Sequence, residues 1–303
     1  MNKFILGSGL TGLLARHLLG KDWQLIPFGR SRFYSTRPVL GDNYILQSDD
    51  MTGVLEELEF HPGTQQLVRA FSIAGQLVFS EQSFAKGAYL NKLFGQAKHP
   101  AAEPLTKMSL AVYETQALEL YLALLARYLD EIRTSNSTHG KVVAMSDHHI
   151  KTEKSELDFD RVVSAIPLDV LLAYNGNKTP LPARDIWYYH IKSPTTNLEG
   201  AREALVADDL IDFHKVTRVG PQEYLFHSLR EIVTPVPYFK SILGSRFELL
   251  NRTSIANALP VGQPPDLKGL EAAGVYPVGD HGQWDCYMDV TSCLNRIRKI
   301  SNL

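Results

Sequence analysis

Hydrophobic and polar residues follow two different periods along the chain. Short apolar runs at residues 4–6, 23–28 and 159–167 predict strands buried on both faces, as in a parallel sheet. Between residues 185 and 232, three segments alternate with a period of two, which predicts an antiparallel sheet with one solvated face. Residues 109–133 place Leu, Tyr and Ala on a broad face at helical spacing, and they predict one long, mostly buried helix.

Two hairpins and a terminal strand complete the predicted elements. Residues 71–79 and residues 141–152 each predict two strands joined by a turn. The tip of the second hairpin, Asp147-His148-His149, is interpreted as a polar turn rather than a metal site, because strand patterns flank it. Residues 275–278 predict a last strand, followed by a tight turn and a new helix.

These elements predict an α/β fold with two insertions. A Rossmann-like dinucleotide-binding domain is assembled from residues 1–50, 141–175 and 265–303, so it is discontinuous in sequence. A mainly helical segment, residues 51–140, forms the first insertion. An antiparallel-sheet domain, residues 176–264, forms the second.

Composition and charge limit the classes of function. The chain has 303 residues, of which 44% are hydrophobic and 21% are charged, as in an ordinary globular protein. A formal charge of -2 argues against a broad nucleic-acid surface. Cys286 and Cys293 are too few for a disulfide framework and lack metal-ligand spacing, which predicts reduced thiols in the cytoplasm. Glycines interrupt the N-terminal apolar run, so a secretory signal and a membrane span are not expected.

The first chemical motif is Gly7-Ser8-Gly9-Leu10-Thr11-Gly12, between the first strand and an amphipathic helix. In this spacing Gly7 permits a tight turn and Gly9 leaves room for a pyrophosphate, while Gly12 lets the helix pack closely on the strand. Free amides at the start of the helix attract phosphate. The motif therefore predicts a dinucleotide site.

The second predicted strand ends without the acidic residue that holds the adenosine ribose in many dinucleotide-binding proteins. The sequence there is Phe28-Gly29-Arg30, and no carboxylate is present at this position. Arg30 or Arg32 faces a phosphate, as in NADP-binding proteins, or stacks on adenine, or is an ordinary exposed loop arginine. The identity of the dinucleotide stays open at this point.

Three stretches of the chain carry a family resemblance: the glycine motif, the hairpin before residues 159–167, and residues 275–297. Together they resemble the FAD-dependent amine oxidase superfamily, most of all the branch that contains UDP-galactopyranose mutase. In that family the last motif is a strand, a Gly-Arg or Gly-Asp turn, an aromatic residue, and Met-Asp-Val at the start of a helix beneath the isoalloxazine ring. Met288, Asp289 and Val290 match its final part.

The resemblance implies FAD as the cofactor. A helix that begins at Met288 would present free amides to the negative charge that a reduced flavin carries near N1 and O2. Asp289 would then be a partner of the ribityl chain or an ordinary helix cap. The residues implied to bind the cofactor are Gly7, Ser8, Gly9, Leu10, Thr11, Gly12, Arg30, Gly41, Asn43, Val143, Gly279, Asp280, Met288, Asp289 and Val290.

The chain also departs from the mutase pattern. The loop that carries histidines in the mutases is Gly41-Asp42-Asn43-Tyr44 here, and the turn arginine is replaced by Asp280. These differences leave FAD as the expected cofactor, but they do not favour sugar-nucleotide ring contraction.

The antiparallel sheet is expected to contact the substrate. By strand alternation, His214 and Arg218 share one face and Lys215 lies on the other. A shared cationic face suits a phosphate, a carboxylate or a nucleotide-linked substrate, and an exposed strand with solvated charges is the alternative. Trp284 and Tyr287 would flank the flavin ring or the substrate, or belong to the core. These residues are pocket candidates, because the flavin itself performs the chemistry in such enzymes.

Three functions follow from these residues. The first is a FAD-dependent oxidoreductase that takes hydride from a carbon bearing an amine or a hydroxyl. The second is a non-redox mutase that acts on a UDP-sugar, and the third is an NADP-binding or catalytically silent Rossmann protein. The enzyme's substrate would be a small molecule, either free or linked to a nucleotide.

Overall fold

The computed structural model describes residues 1–28, 44–96, 106–115, 117–176, 181–233, 236–261, 265–279, 283 and 290–302. Its strands, in chain order, are β1 (Lys3–Leu6), β2 (Gln24–Ile26), β3 (Ile45–Leu46), β4 (Thr64–Ile73), β5 (Gln76–Val78), β6 (Ser109–Tyr113), β7 (Val142–Ser146), β8 (His149–Thr152), β9 (Glu156–Asp158), β10 (Arg161–Ser164), β11 (Ala183–Lys192), β12 (Glu203–Val206), β13 (Phe213–Gly220), β14 (Glu223–Ser228), β15 (Glu248–Pro260) and β16 (Val275–Pro277).

The helices lie between these strands and after the last one. They are α1 (Leu10–Leu19), α2 (Asp49–Glu57), α3 (Ser83–Phe94), α4 (Ala117–Thr138), α5 (Leu168–Tyr174), α6 (Val236–Leu243), α7 (Lys268–Ala272) and α8 (Val290–Ser301).

The chain forms two compact units, and both are discontinuous in sequence. Unit 1 consists of Met1–Gly63, Tyr113–Pro182 and Gln263–Leu303. Unit 2 consists of Thr64–Val112 and Ala183–Gly262. Both ends of the chain therefore belong to unit 1.

Unit 1 contains a parallel sheet with the strand order β16-β10-β1-β2. The registers pair Ile5 with Val163 and with Leu25, and Val163 in turn with Tyr276. The interior positions of β1 and β10 are almost fully buried, as expected for strands covered on both faces. The predicted parallel sheet is confirmed, and β16 near the C-terminus is one of its strands.

Helices α1, α4 and α8 supply most of the apolar core that lies against this sheet. The fully buried residues of this core include Ile5 and Val163 from the sheet, together with Leu13 of α1, Leu120 of α4 and Leu294 of α8. Helix α8 buries residues at helical spacing and exposes its other positions, which fixes it against the core by one face.

A small antiparallel sheet, β7-β8-β9, also belongs to unit 1. Its first hairpin turns at Asp147 and at His148, whose φ is +59°. The hairpin predicted for residues 141–152 is therefore confirmed, and its tip is a turn.

Unit 2 contains a larger sheet with the strand order β15-β11-β14-β13-β12-β4-β6, and β5 pairs with β4. The strands from β15 to β12 pair antiparallel, whereas β12 runs parallel to β4. Helix α6 packs on one face of this sheet, where Phe239 contacts the rings of Tyr189, Phe213 and Phe226. The antiparallel pairing expected between residues 185 and 232 is confirmed, but the expected solvated face is wrong: β12 is buried at all four positions and β14 at five of six. Helix α6 covers one face, and Tyr89 of α3 contacts His214 on the other.

The single helix predicted for residues 109–133 is wrong. Ser109–Tyr113 is strand β6, in which exposed and buried positions alternate at first, and the helix begins only at Ala117. Thr115 Oγ1 donates to Glu119 Oε2 at 2.6 Å next to the start of the helix. The five residues of β6 fit both a helical and an alternating period. Pairing with a neighbouring strand decides that they form a strand, and the local sequence pattern carries no information about that pairing.

The predicted helical segment, residues 51–140, does not form a unit of its own. Its β4 pairs with β12, so residues 64–112 belong to unit 2, while the following helix α4 packs in unit 1. Strands β4 and β12 pair in parallel although they are far apart in sequence, so no short stretch of sequence indicates this pairing. The unit boundaries therefore differ from the predicted domain boundaries.

Candidate functional site

The carboxyl ends of four parallel strands meet at one edge of the unit 1 sheet. Strands β1, β2, β10 and β16 end there at Leu6, Ile26, Ser164 and Pro277. The chain goes from β1 to β2 on one side, whereas β10 and β16 lie on the other side of β1. In open α/β sheets, ligands bind at such an edge, next to the strand where the order reverses.

The glycine turn after β1 packs tightly on its sheet side. Gly7 has a φ of +109°, a conformation that favours glycine, and its amide donates to the Ile26 carbonyl at 2.9 Å. A Cβ added at Gly12 would lie 2.0 Å from the Gly7 oxygen and 2.8 Å from the Gly7 carbonyl carbon. Only glycine therefore allows α1 to approach β1 this closely, as the sequence predicts for this position.

The other side of the same turn is open. Gly9 is the N-cap of α1, and a Cβ added there would meet no atom within 4 Å. No side chain caps this helix, and its first turn carries no acidic residue. Leu13 N–H donates to the Gly9 carbonyl at 3.0 Å, so the amides of the preceding residues 10–12 are left for another acceptor. This arrangement fits the diphosphate of a dinucleotide.

The end of β16 lies directly beside this turn. Val278 N–H donates to the Ser164 carbonyl at 2.8 Å and continues the pairing of β16 with β10. Gly279 follows with a φ of +87°, and a Cβ added to it would lie 3.1 Å from Thr11 Oγ1 in the first turn of α1. Two of the residues implied to bind the cofactor, more than 260 positions apart, are therefore neighbours in space.

Helix α8 begins at Val290, shortly after that turn. Val290 is half-buried, and Thr291 Oγ1 donates to the Leu46 carbonyl at 3.4 Å. Cys293, Leu294 and Ile297 are buried farther along the helix. These buried side chains and the hydrogen bond of Thr291 thus fix the orientation of α8 within unit 1.

Two buried polar atoms near this edge were not identified from the sequence. Ser164 Oγ at the end of β10 and Gln283 Oε1 have no hydrogen-bond partner among the residues that the structure describes. The Gln283 amide donates to the Gly279 carbonyl at 2.9 Å. A serine at the end of an unbroken apolar strand is a signal that could have directed attention to Ser164, because buried hydroxyls are normally satisfied.

The start of the small antiparallel sheet is tied to α5 and to the end of β2. Tyr174 Oη donates to the Val142 carbonyl at 3.0 Å, and burial raises the pKa of this phenol. The rings of Phe28 and Tyr174 meet edge to face, with 6.3 Å between their centroids. Val143, which the resemblance assigns to the cofactor, is 45% exposed next to this contact.

In unit 2, one face of the sheet carries two buried histidines. Tyr188, His227 and Lys215 lie opposite one another on adjacent strands, so their side chains share this face. The ring of His227 lies 4.8 Å from that of Tyr188 and 5.7 Å from that of His214. Burial, followed by the charges of Lys215 and His214, holds the pKa of His227 well below its usual value. His227 Nε2 has no hydrogen-bond partner among the described residues.

The prediction that His214 and Arg218 share a face is wrong. A bulge lies between Phe213 and Lys215, so His214 is an extra residue in β13 and the alternation shifts by one position. Lys215 and His214 therefore lie on the face of His227. The Arg218 guanidinium lies on the opposite face, 5.9 Å from the centroid of the Tyr224 ring.

A buried ion pair lies on the same face as the histidines. Glu203 is fully buried, and its Oε2 accepts a hydrogen bond from Arg69 Nε at 2.7 Å. Its other oxygen lies 3.3 Å from Thr217 Oγ1 and 3.8 Å from Lys215 Nζ. Two cations therefore lie beside a single carboxylate, an arrangement that sequence reasoning did not identify.

Unit 2 also contains a polar cavity of about 620 Å³. The ammonium of Lys92 on its wall donates to the backbone carbonyls of Val206, Asp208, Ile211 and Phe213. Burial lowers the pKa of Lys92 to about 8, against the opposing effect of nearby aspartates. The cavity is lined by Lys92, Ala183, Arg184, Asp185, Trp187, Asp209, Ile211, Asp212, Leu229, Arg230 and Glu231.

Eight of the predicted site residues lie outside the described residues, so their side chains are not placed. They are Arg30, Gly41, Asn43, Asp280, Trp284, Tyr287, Met288 and Asp289.

Within the described parts of the chain, no group of three or more His, Cys, Asp or Glu side chains could hold a metal ion. Among the described helices, none combines the length and the apolar character that crossing a membrane requires.

Comparisons with known proteins identify the fold. No protein-family model matches the sequence, and no curated protein matches it. The structure is similar to that of reduced UDP-galactopyranose mutase, with a TM-score of 0.68, 12% identity, and coverage of 99% of this chain and 93% of that one.

The structure is also similar to those of two amine oxidases. Cyclohexylamine oxidase from Brevibacterium oxydans IH-35A has a TM-score of 0.66 and 11% identity, with coverage of 99% of this chain and 98% of that one. Putrescine oxidase bound to putrescine has a TM-score of 0.61 and 11% identity, with the same coverage of both chains. The chain therefore shares the fold of UDP-galactopyranose mutase and of these amine oxidases, which is the fold that its sequence motifs predict.

Proposed function

We propose that this protein is a FAD-dependent oxidoreductase that takes hydride from a carbon bearing an amine or a hydroxyl. The observation that carries the proposal is the geometry around Gly9, where an uncapped helix start opens beside the end of β16. The fold that the chain shares with amine oxidases supports the same reaction class. Bound FAD would supply the electron acceptor for this chemistry.

The diphosphate of the cofactor is assigned to the glycine turn. The amides of residues 10–12 would donate to its oxygens, and the open side of Gly9 would allow the close approach. The absence of an acidic residue in the first turn of α1 removes a source of repulsion. Gly279 leaves room for Thr11, so the turn after β16 would close the other wall of this site.

The flavin ring is assigned to the start of α8. Free amides and the positive end of the helix dipole at Val290 would stabilise negative charge, by about 0.3–1 kcal/mol when exposed and up to about 2 kcal/mol when partly buried. Met288 and Asp289, just before this helix, would contact the ring and the ribityl chain. Trp284 and Tyr287 keep their proposed place beside the ring or the substrate.

The sheet of unit 2 is assigned to substrate contacts. The face with Lys215, His214 and His227 is the proposed contact surface. Arg218 is no longer proposed as a pocket residue, because it lies on the other face. Because burial and the charges of Lys215 and His214 hold the pKa of His227 well below its usual value, His227 would face the substrate as a neutral ring. The proposed substrate is a small molecule, free or linked to a nucleotide, and the proposed location is the cytoplasm because of the reduced thiols expected from the sequence.

A UDP-galactopyranose mutase-like reaction is the second candidate. One observation favours it: two cations, Arg69 and Lys215, lie beside the single carboxylate of Glu203 on the sheet face that also carries His227. Such a surface suits the phosphates of a nucleotide better than an amine. The similarity to reduced UDP-galactopyranose mutase agrees with this candidate, and the missing loop histidines speak against it.

Spectroscopy of the purified protein tests these proposals. We expect a yellow protein with the visible absorbance of oxidised flavin, and a colourless protein that binds NADP instead would refute both candidates. Without oxygen, bleaching by an amine or an alcohol, and peroxide formation once air is admitted, would support the oxidoreductase. A flavin that only dithionite bleaches, in a protein that binds UDP, would favour the mutase.

A further inference from the structure

The adenosine end of the dinucleotide site lacks its usual anchor. Residues 27–41, which follow β2, contain no Asp or Glu, and Asp22 precedes the strand and so lies toward its opposite end. A carboxylate in this region normally accepts hydrogen bonds from the adenosine ribose. A different contact must therefore hold this end of the cofactor if the proposed function is correct.

An aromatic surface lies at the place where that carboxylate is missing. Ile26, the last residue of β2, is bonded to Gly7 of the glycine turn, so Phe28 follows β2 at the same edge of the sheet. The Tyr174 ring meets the Phe28 ring at 76° and 6.3 Å. Both side chains are only partly buried, so part of this aromatic surface is accessible.

The second wall of this surface comes from the small antiparallel sheet. The hydroxyl of Tyr174 donates to the Val142 carbonyl at 3.0 Å, which fixes the tyrosine ring beside the first residue of β7. Val143, the next residue, is 45% exposed. The Tyr174 ring thus contacts Phe28 and is tied by a partly buried hydrogen bond to the start of β7, where Val143 is exposed.

From this geometry we infer that Phe28 and Tyr174, with Val143, bind the adenine ring by apolar and stacking contact in place of a ribose–carboxylate contact. The inference rests on the proposed flavin site and specifies its adenosine half. Stacking suits this role because an adenine face binds an aromatic side chain without a charge or a hydrogen bond.

Binding of FAD and FMN to the protein stripped of flavin tests this inference, because FMN lacks the adenosine half. We expect the wild type to bind FAD more tightly than FMN. Phe28→Leu should lower the affinity for FAD by about tenfold or more and leave the affinity for FMN unchanged. Phe60→Leu is the matched control, since Phe60 is a partly buried phenylalanine of the unit 1 core outside this aromatic surface, and it should retain the preference for FAD.

The readouts are flavin fluorescence during titration and the melting temperature of each flavin-free protein. If Phe28→Leu lowers both affinities equally, the ring has a structural role and the inference is refuted. Equal binding of FAD and FMN by the wild type refutes the inference alone. Binding of neither flavin by a folded wild type refutes the proposed function as well.

Discussion

Replacing Gly9 by Ala should separate cofactor binding from folding. Gly9 has a φ of -73° and a ψ of -179°, which alanine adopts without strain, and an added Cβ meets nothing within 4 Å. The flavin-free protein should therefore keep its stability to within about 1 kcal/mol, the size of a weakened N-cap. The methyl group would instead occupy the space assigned to the diphosphate.

The expected loss of affinity follows from overpacking. Forcing a methyl group into a filled contact costs about 1–3 kcal/mol, which corresponds to a loss of roughly 5- to 150-fold in FAD affinity. At a FAD concentration 100 times the dissociation constant of the wild type, the ligand stabilises the wild type by about 2.7 kcal/mol, and this stabilisation should fall to about 0.3–1.8 kcal/mol in Gly9→Ala. Gly9→Val, with a larger side chain, should abolish cofactor retention.

Gly12→Ala is the matched comparison. Its Cβ would lie 2.0 Å from the Gly7 oxygen, a backbone atom, so the flavin-free protein itself should lose about 1–3 kcal/mol or more. The assay is thermal unfolding of each flavin-free variant, alone and with added FAD. If Gly9→Ala gains as much stability from FAD as the wild type does, the open side of this turn is not the diphosphate site.

Three further predictions concern buried groups of unit 2. Because the pKa of folded His227 is held below the ordinary 6.5, the unfolded chain binds a proton first and stability falls as pH drops below 6.5. His227→Phe should reduce this slope by up to about 1.4 kcal/mol per pH unit in urea unfolding measured at several pH values. Lys92→Met removes the donor from four backbone carbonyls and should cost about 3–5 kcal/mol, measured by the same method. Glu203→Gln leaves the buried Arg69 charge without its carboxylate and should also cost about 3–5 kcal/mol.

Matched variants control for each of these changes. The pKa of His17 is also lowered by burial. Because His17 is present both in the wild type and in His227→Phe, its contribution to the pH dependence of stability is the same in the two proteins. Lys86→Met, on the same helix as Lys92, should cost little. Glu223→Gln disrupts a pair with His190 in which the carboxylate is 44% exposed, so its cost should stay below about 1 kcal/mol. Equal losses for a variant and its control would refute the corresponding prediction.

The glycine turn was predictable because its requirements are local. Gly7 needs a positive φ and Gly12 needs an absent side chain, and both requirements appear in the sequence as a fixed spacing beside a strand and a helix. The neighbouring position of Gly279 came from the family resemblance, since no local pattern connects residues so far apart. Its contact with Thr11 is a product of the order of strands in the sheet.

The side chains that share each face of β13 were not predictable, because a bulge in this strand has no local signal. One extra residue at His214 changes which side chains share a face, and neither the composition nor the period of the strand contains a signal for that bulge. The short strand β6 was missed because Ser109–Tyr113 satisfies both a helical and an alternating period. Its neighbours in the sheet, which come from distant parts of the chain, determine the choice.

The strand order of the unit 1 sheet also has a consequence for biosynthesis. Strands β1 and β2 leave the ribosome early, but β16, which completes the sheet, is encoded near the end of the chain. Synthesis proceeds at about 5–20 residues per second, so β10, the strand that pairs with β16, waits on the order of ten seconds for this partner. During that interval β10 lacks the neighbour that covers its outer edge. Nascent chains of this protein should therefore depend on chaperones more than a chain in which the same sheet is formed from consecutive segments.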